Sequence, residues 1–165
     1  MAGVAWVLTL AALAAPALAL AGQQPDSRTV LGPSNVLLQD GSNALEQGRV
    51  EEGVRLTLEG LKYPSSLRDT AAGRANLCAG YALLQRWDEA LAQCNLSLSL
   101  DPANWRAYNN RAAVFSARGL YDQAISDVQA GLKLAPGSPM LRHALQIIQH
   151  NRSVSLRHRR RGVNA

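Results

Sequence analysis

Aromatic side chains are scarce in this 165-residue chain, where one Phe, three Trp and four Tyr amount to 5% of the residues. A sheet core draws on aromatic and β-branched residues, so this scarcity disfavours a sheet. The many Ala and Leu favour helices packed through small side chains, and an all-α protein is expected. Also missing are a Gly-rich phosphate loop, a paired-carboxylate arrangement, and any His or Lys at a telling spacing from the serines of "NLSLSLDP". Phosphoryl transfer, acid–base and nucleophilic chemistry therefore have no signature here, and no enzymatic activity is expected. His143 and His150 stand seven residues apart with no Cys, Asp or Glu beside them. Such a pair lacks the further ligands of a coordination sphere, so neither a metal nor another cofactor is expected.

A surplus of charge is absent from most of the chain, although the formal net charge is +5. Through Asn151 there are twelve Lys and Arg against twelve Asp and Glu, and the other five arginines all lie beyond it. A nucleic-acid-binding domain normally spreads its cations over one face, so no specific nucleic-acid partner is expected. The tail "RHRRRGVNA" offers clustered arginines that attract phosphate and other anions. A weak anionic contact is one reading of residues 152–165, and a solvated, disordered end is the other.

Residues 2–21, "AGVAWVLTLAALAAPALALA", carry no charged side chain, and Ala19-Leu20-Ala21 supplies the small-x-small pattern accepted at a signal cleavage site. This segment is expected to be a secretory signal, which places the protein in a bacterial periplasm or outside the cell. The alternative is a retained membrane anchor, since the stretch is long enough to span a bilayer. Residues 22–33, "GQQPDSRTVLGP", lack helical periodicity and read as a linker.

What is present in quantity is a repeat. Asp88 and Asp122, Ala90 and Ala124, Leu98 and Leu132, Leu100 and Leu134, and Pro102 and Pro136 are each 34 residues apart. In one period Leu77, Cys78 and Tyr81 and then Ala90, Leu91, Cys94 and Leu98 make two apolar stripes at helical spacing. Ala112, Phe115, Ala124, Ile125, Val128 and Leu132 repeat them in the next. Upstream, "SNVLLQDGSNALEQG" and "RVEEGVRLTLEGLKYP" form a more divergent pair with Gly48 in the turn and Gly53 where the others have Ala. Downstream, Ser138 as N-cap and Pro139 at the first helical position open a last helix expected to end near Asn151.

The 34-residue helix-turn-helix unit resembles the tetratricopeptide repeat over about residues 34–136. The resemblance implies units at about 34–64, 71–102 and 105–136, closed by a capping helix at 138–151, in a short right-handed solenoid. It also implies an adaptor or scaffold that binds a protein or peptide partner in a concave groove lined by the first helix of each pair. Asn76 and Asn110 take equivalent groove positions, with Arg106 and Asn109 nearby. In the subfamily that clamps C-terminal carboxylates, Asn76 and Arg106 match two clamp positions, whereas Leu38, Ser42 and Asn110 replace the other three. The alternative function is a membrane-tethered assembly subunit that oligomerises through its repeats.

Cys78 and Cys94 fall in the two helices of one hairpin, both facing inward. A disulfide needs Cα atoms about 4.4 to 6.8 Å apart, which closely packed helices only just permit. A bond and a pair of buried free thiols both remain open on the sequence.

Overall fold

The structure, a computed structural model, describes residues 35–163, with side chains through Arg159. The expected signal or anchor at 1–21 and the linker at 22–33 lie outside the described residues. Seven helices follow one another and no strand occurs among the described residues: α1 (Val36–Glu46), α2 (Val50–Gly60), α3 (Leu67–Leu83), α4 (Trp87–Leu100), α5 (Trp105–Ala117), α6 (Tyr121–Leu134) and α7 (Pro139–Val163). They stack as three hairpins, α1–α2, α3–α4 and α5–α6, with α7 packed on the last. None of these helices is both long and apolar enough to cross a membrane.

The three hairpin turns are built alike. Gly48, Gln85 and Gly119 adopt the left-handed conformation, with φ of 76°, 60° and 74°. The next N–H reaches back to a carbonyl of the last helical turn: Arg49 to Ala44, Arg86 to Tyr81 and Leu120 to Phe115, each at 2.8 Å. This is the Schellman arrangement, which satisfies carbonyls that the ending helix would otherwise leave unpaired. Glycine adopts the required φ without steric cost, whereas Gln85 does not.

Two cores run through the stack. Cys78, Ala90, Cys94 and Val114 are fully buried in one, with Tyr81, Trp87 and Leu91 around them. Ala112, Ala124, Val128, Leu141 and Ile148 form the other, joined by Phe115, Tyr121 and Ile125. Ala90 and Ala124 have no exposed surface, as expected where the two helices of a hairpin approach most closely. Arg111 ties three helices together. Its Nε and Nη2 donate to both Asp127 oxygens at 2.7 and 2.8 Å, and its Nη1 donates to Asn95 Oδ1 at 2.7 Å. The hydrogen bond to the Asp127 carboxylate holds the guanidinium pKa above its usual value.

Three boundaries differ from the sequence expectation. The units expected at about 34–64 and 71–102 leave residues 65–70 between them, but α3 starts at Leu67 because Ser66 caps it. Ser66 Oγ accepts from Asp69 N–H at 3.0 Å and donates to the Asp69 carboxylate at 2.7 Å, forming a reciprocal cap at the helix start. The second helix of the first hairpin ends at Gly60 rather than at Pro64. The third correction concerns residues 152–165: α7 does not stop at Asn151 before a disordered tail but continues as helix to Val163. Arg152 Nη2 reaches Asp122 Oδ1 at 2.8 Å, which anchors α7 against the start of α6. Arg157 and Arg159, near its end, complement the negative end of the helix dipole.

The divergent first hairpin also has a physical reason. Gly53 lies where a Cβ would come 2.6 Å from Leu45 Cγ, and a Cβ at Gly41 would collide with Thr57. The α1–α2 crossing is so close that it excludes even the methyl group accepted at Ala90 and Ala124.

Candidate peptide-binding groove

The first helices α3 and α5 carry small residues on the side they share, and α1 faces them with Leu38, Gln39, Ser42 and Glu46. Ala72, Ala113 and Ala117 are exposed and Ala79 is half-buried, whereas Ala75 is buried beneath. Two hollows lie along this surface. One, of about 390 Å³, is bounded by Asn35, Leu38, Gln39, Ser42, Glu46, Asp69, Ala72, Asn76 and Arg106. The second, of about 320 Å³, shares Asp69, Ala72, Asn76 and Arg106 with the first and adds Arg68, Asp101 and Trp105.

The four residues singled out in the sequence divide between different places. Asn76 and Arg106 come together on the wall common to both hollows. Arg106 is exposed, with its guanidinium carbon 4.6 Å from the centre of the Trp105 ring, a stacking that restricts its direction and keeps its hydrogen-bonding edge free. Asn110 has its amide donor engaged within the stack. Its Nδ2 donates to the Ala75 carbonyl at 3.0 Å and so ties α5 to α3. Asn109 lies apart from the two hollows, in a cleft between α5 and α7, where its Nδ2 meets Met140 Sδ at 3.7 Å. The equivalence of Asn76 and Asn110 by period therefore does not extend to their roles.

Gln39, Glu46 and Asp69, together with Asn35, Arg68 and Asp101, are polar groove residues that sequence reasoning missed. Asp69 falls between the expected units at 34–64 and 71–102 and joins the groove only because α3 starts as early as Leu67. Around the shared wall the charges are mixed, with Arg68 and Arg106 beside Glu46, Asp69 and Asp101. Such a surface can hydrogen-bond an extended backbone, and it lacks the concentration of cations that a cluster of carboxylates needs. Among the described residues no group of three or more His, Cys, Asp or Glu is placed to hold a metal ion.

Behind the groove, Cys78 of α3 and Cys94 of α4 are joined, with their sulfurs 2.10 Å and their Cα atoms 5.2 Å apart. Both are fully buried, so the link is structural and does not face the groove.

No protein-family model matches the chain. Among curated proteins, sperm-associated antigen 1 of Mus musculus is 28% identical over 111 residues, 67% of this chain and 12% of that protein. The chain thus spans about an eighth of the length of that relative. Among solved structures, the first TPR domain of human RPAP3 superposes with a TM-score of 0.63 at 23% identity, covering 72% of this chain and 91% of that one. The first TPR of Spaghetti (RPAP3), solved bound to the HSP90 peptide SRMEEVD, gives 0.60 at 23% identity over 70% of this chain and 89% of that one. At these identities the likeness establishes the fold: an all-α solenoid of the tetratricopeptide type.

Proposed function

We propose that this chain is a non-catalytic adaptor that holds a segment of a partner protein along the groove of α1, α3 and α5, and that it does so in an oxidising compartment outside the cytoplasm. The observation that carries the first part is the meeting of Asn76 and Arg106 on one wall shared by two adjoining hollows, beside the exposed Ala72. A rigid, preformed surface of this kind binds with little ordering cost on its own side. Peptide binding by a relative of the same fold supports the reading. The ligand differs from that relative's acidic peptide: Leu38, Ser42 and Asn110 stand at clamp positions, and Glu46, Asp69 and Asp101 oppose a run of carboxylates.

The compartment is supported by the charge-free segment 2–21 with its Ala-Leu-Ala end and by the Cys78–Cys94 link, since structural disulfides persist in exported proteins. Two measurements test the proposal. A photo-crosslinking residue at Ala72 should capture a partner protein in the native compartment, and Asn76→Ala with Arg106→Ala should abolish that capture. Capture that survives both substitutions removes the groove from the argument. Amino-terminal sequencing of the mature protein should start near Gly22, and an intact Met1 recovered in the membrane fraction favours the tethered alternative.

A further inference from the structure

The cleft between α5 and α7 differs in character from the hollows beside α1 and α3. It encloses about 380 Å³ and is walled by Asn109, Ala113 and Ala117 of α5 and Ala144, Ile147 and Asn151 of α7. Ile147 keeps 45% of its surface exposed at its rim. A solvent-facing isoleucine beside a small-walled apolar cleft is the geometry that receives one aliphatic side chain. At its edge the Asn109 amide touches only a thioether on its donor side, and its Oδ1 is buried without a hydrogen-bond partner. A thioether is a weak acceptor, so a passing peptide carbonyl can take its place on the Asn109 Nδ2 donor.

The same face of α7 changes chemistry toward its end. Residues 151 and 158 are seven apart, about two turns, and therefore lie one above the other. Arg157 and His158 are both exposed, and helix Pro139–Val163 contains no Asp or Glu at all. From the middle of the cleft, near Ile147, to Arg157 and His158 the rise is about 15 Å at 1.5 Å per residue. An extended strand covers that distance in about four or five residues.

Building on the groove reading above, we propose that the α5–α7 cleft is the specificity pocket of the binding surface, and that its ligand is a protein segment carrying a large aliphatic residue with an Asp or Glu four or five positions away. The aliphatic side chain enters between Ala113 and Ile147, and the carboxylate meets Arg157 and His158. This places acid recognition at the α7 end of the molecule, away from the mixed-charge wall around Asn76.

A random dodecapeptide library panned on the mature protein tests the pairing, followed by fluorescence anisotropy with the enriched peptides. The enriched sequences should share an aliphatic residue and an acid at that spacing. Ala113→Phe, which fills the cleft from an exposed position, should weaken them by at least about tenfold. Arg157→Gln with His158→Gln should weaken them less, by an amount that vanishes in about 0.5 M salt, where the Debye length falls to a few ångströms. Ile147→Ser gives an independent cleft variant should Ala113→Phe fail to fold. Peptides that bind both cleft variants within about twofold of the parent protein overturn the pocket, as does enrichment without the paired features. If such peptides still respond to Asn76→Ala and Arg106→Ala, the groove reading stands and this inference alone fails. If no peptide is enriched at all, both fail.

Discussion

Breaking the Cys78–Cys94 link should cost this small solenoid a large share of its stability. The cysteines are 16 residues apart in sequence. Cross-linking a loop of that size removes chain entropy from the unfolded state equivalent to about 3 kcal/mol at 25 °C. Domains of this kind have only about 5 to 15 kcal/mol in hand, so reduction should leave a folded but visibly weakened protein. A folded part of about 130 residues loses roughly 3 to 5 °C per kcal/mol, and the reduced protein should therefore melt about 9 to 15 °C lower. The assay is thermal denaturation by circular dichroism on oxidised and fully reduced protein, beside a Cys78→Ala, Cys94→Ala double variant. Reduction keeps both sulfur atoms in the core while the double variant removes them. Any further loss in the variant is a packing effect, and the part common to both is the cross-link. Thiol alkylation and mass spectrometry of the denatured, unreduced protein establish the starting state. Full labelling there, or a melting temperature unmoved by verified reduction, refutes the reasoning.

Three other substitutions probe separate parts of the structure. Ala124→Leu forces a large side chain into a site with no exposed surface and should cost about 1 to 3 kcal/mol by overpacking; an unchanged urea midpoint would show that the α5–α6 approach is looser than described. Gln85→Gly relieves a left-handed residue at the turn where the other hairpins already carry glycine, and should raise stability by about 0.5 to 1 kcal/mol, so a lowered midpoint contradicts the turn assignment. Asp127→Ala leaves Arg111 without its carboxylate, and since that side chain is 21% exposed the loss should fall below the buried-pair range, at about 2 to 3 kcal/mol. Unfolding of Arg111→Met and of the double variant closes the cycle, and strict additivity would mean that the pair is not coupled.

The solenoid was legible in the sequence because its repeat imposes the same local demand every 34 residues. Ala90 and Ala124 had to be small, and Gly48 marked the turn of the first hairpin. What could not be read depends on contacts between distant residues. The end of α7 is one case: apolar periodicity fades after Ile148, yet the helix continues, and the contact it makes there is an ion pair from Arg152 to Asp122, thirty residues back. Gly53 is another. It reads as a degenerate alanine until the separation of α1 and α2 is known, at which point it becomes a requirement of that crossing. In the groove, residue type and period gave Asn76 and Arg106 their common wall. They could not distinguish Asn110, whose amide is committed to the Ala75 backbone, from a residue free to meet a ligand.

The packing of α7 also determines what covers the third hairpin. Leu141 is fully buried and fits against Gly131, where a Cβ would come within 3.0 Å of it, and Arg152 closes the far end onto Asp122. The surface on which a fourth hairpin would have to grow is therefore already occupied.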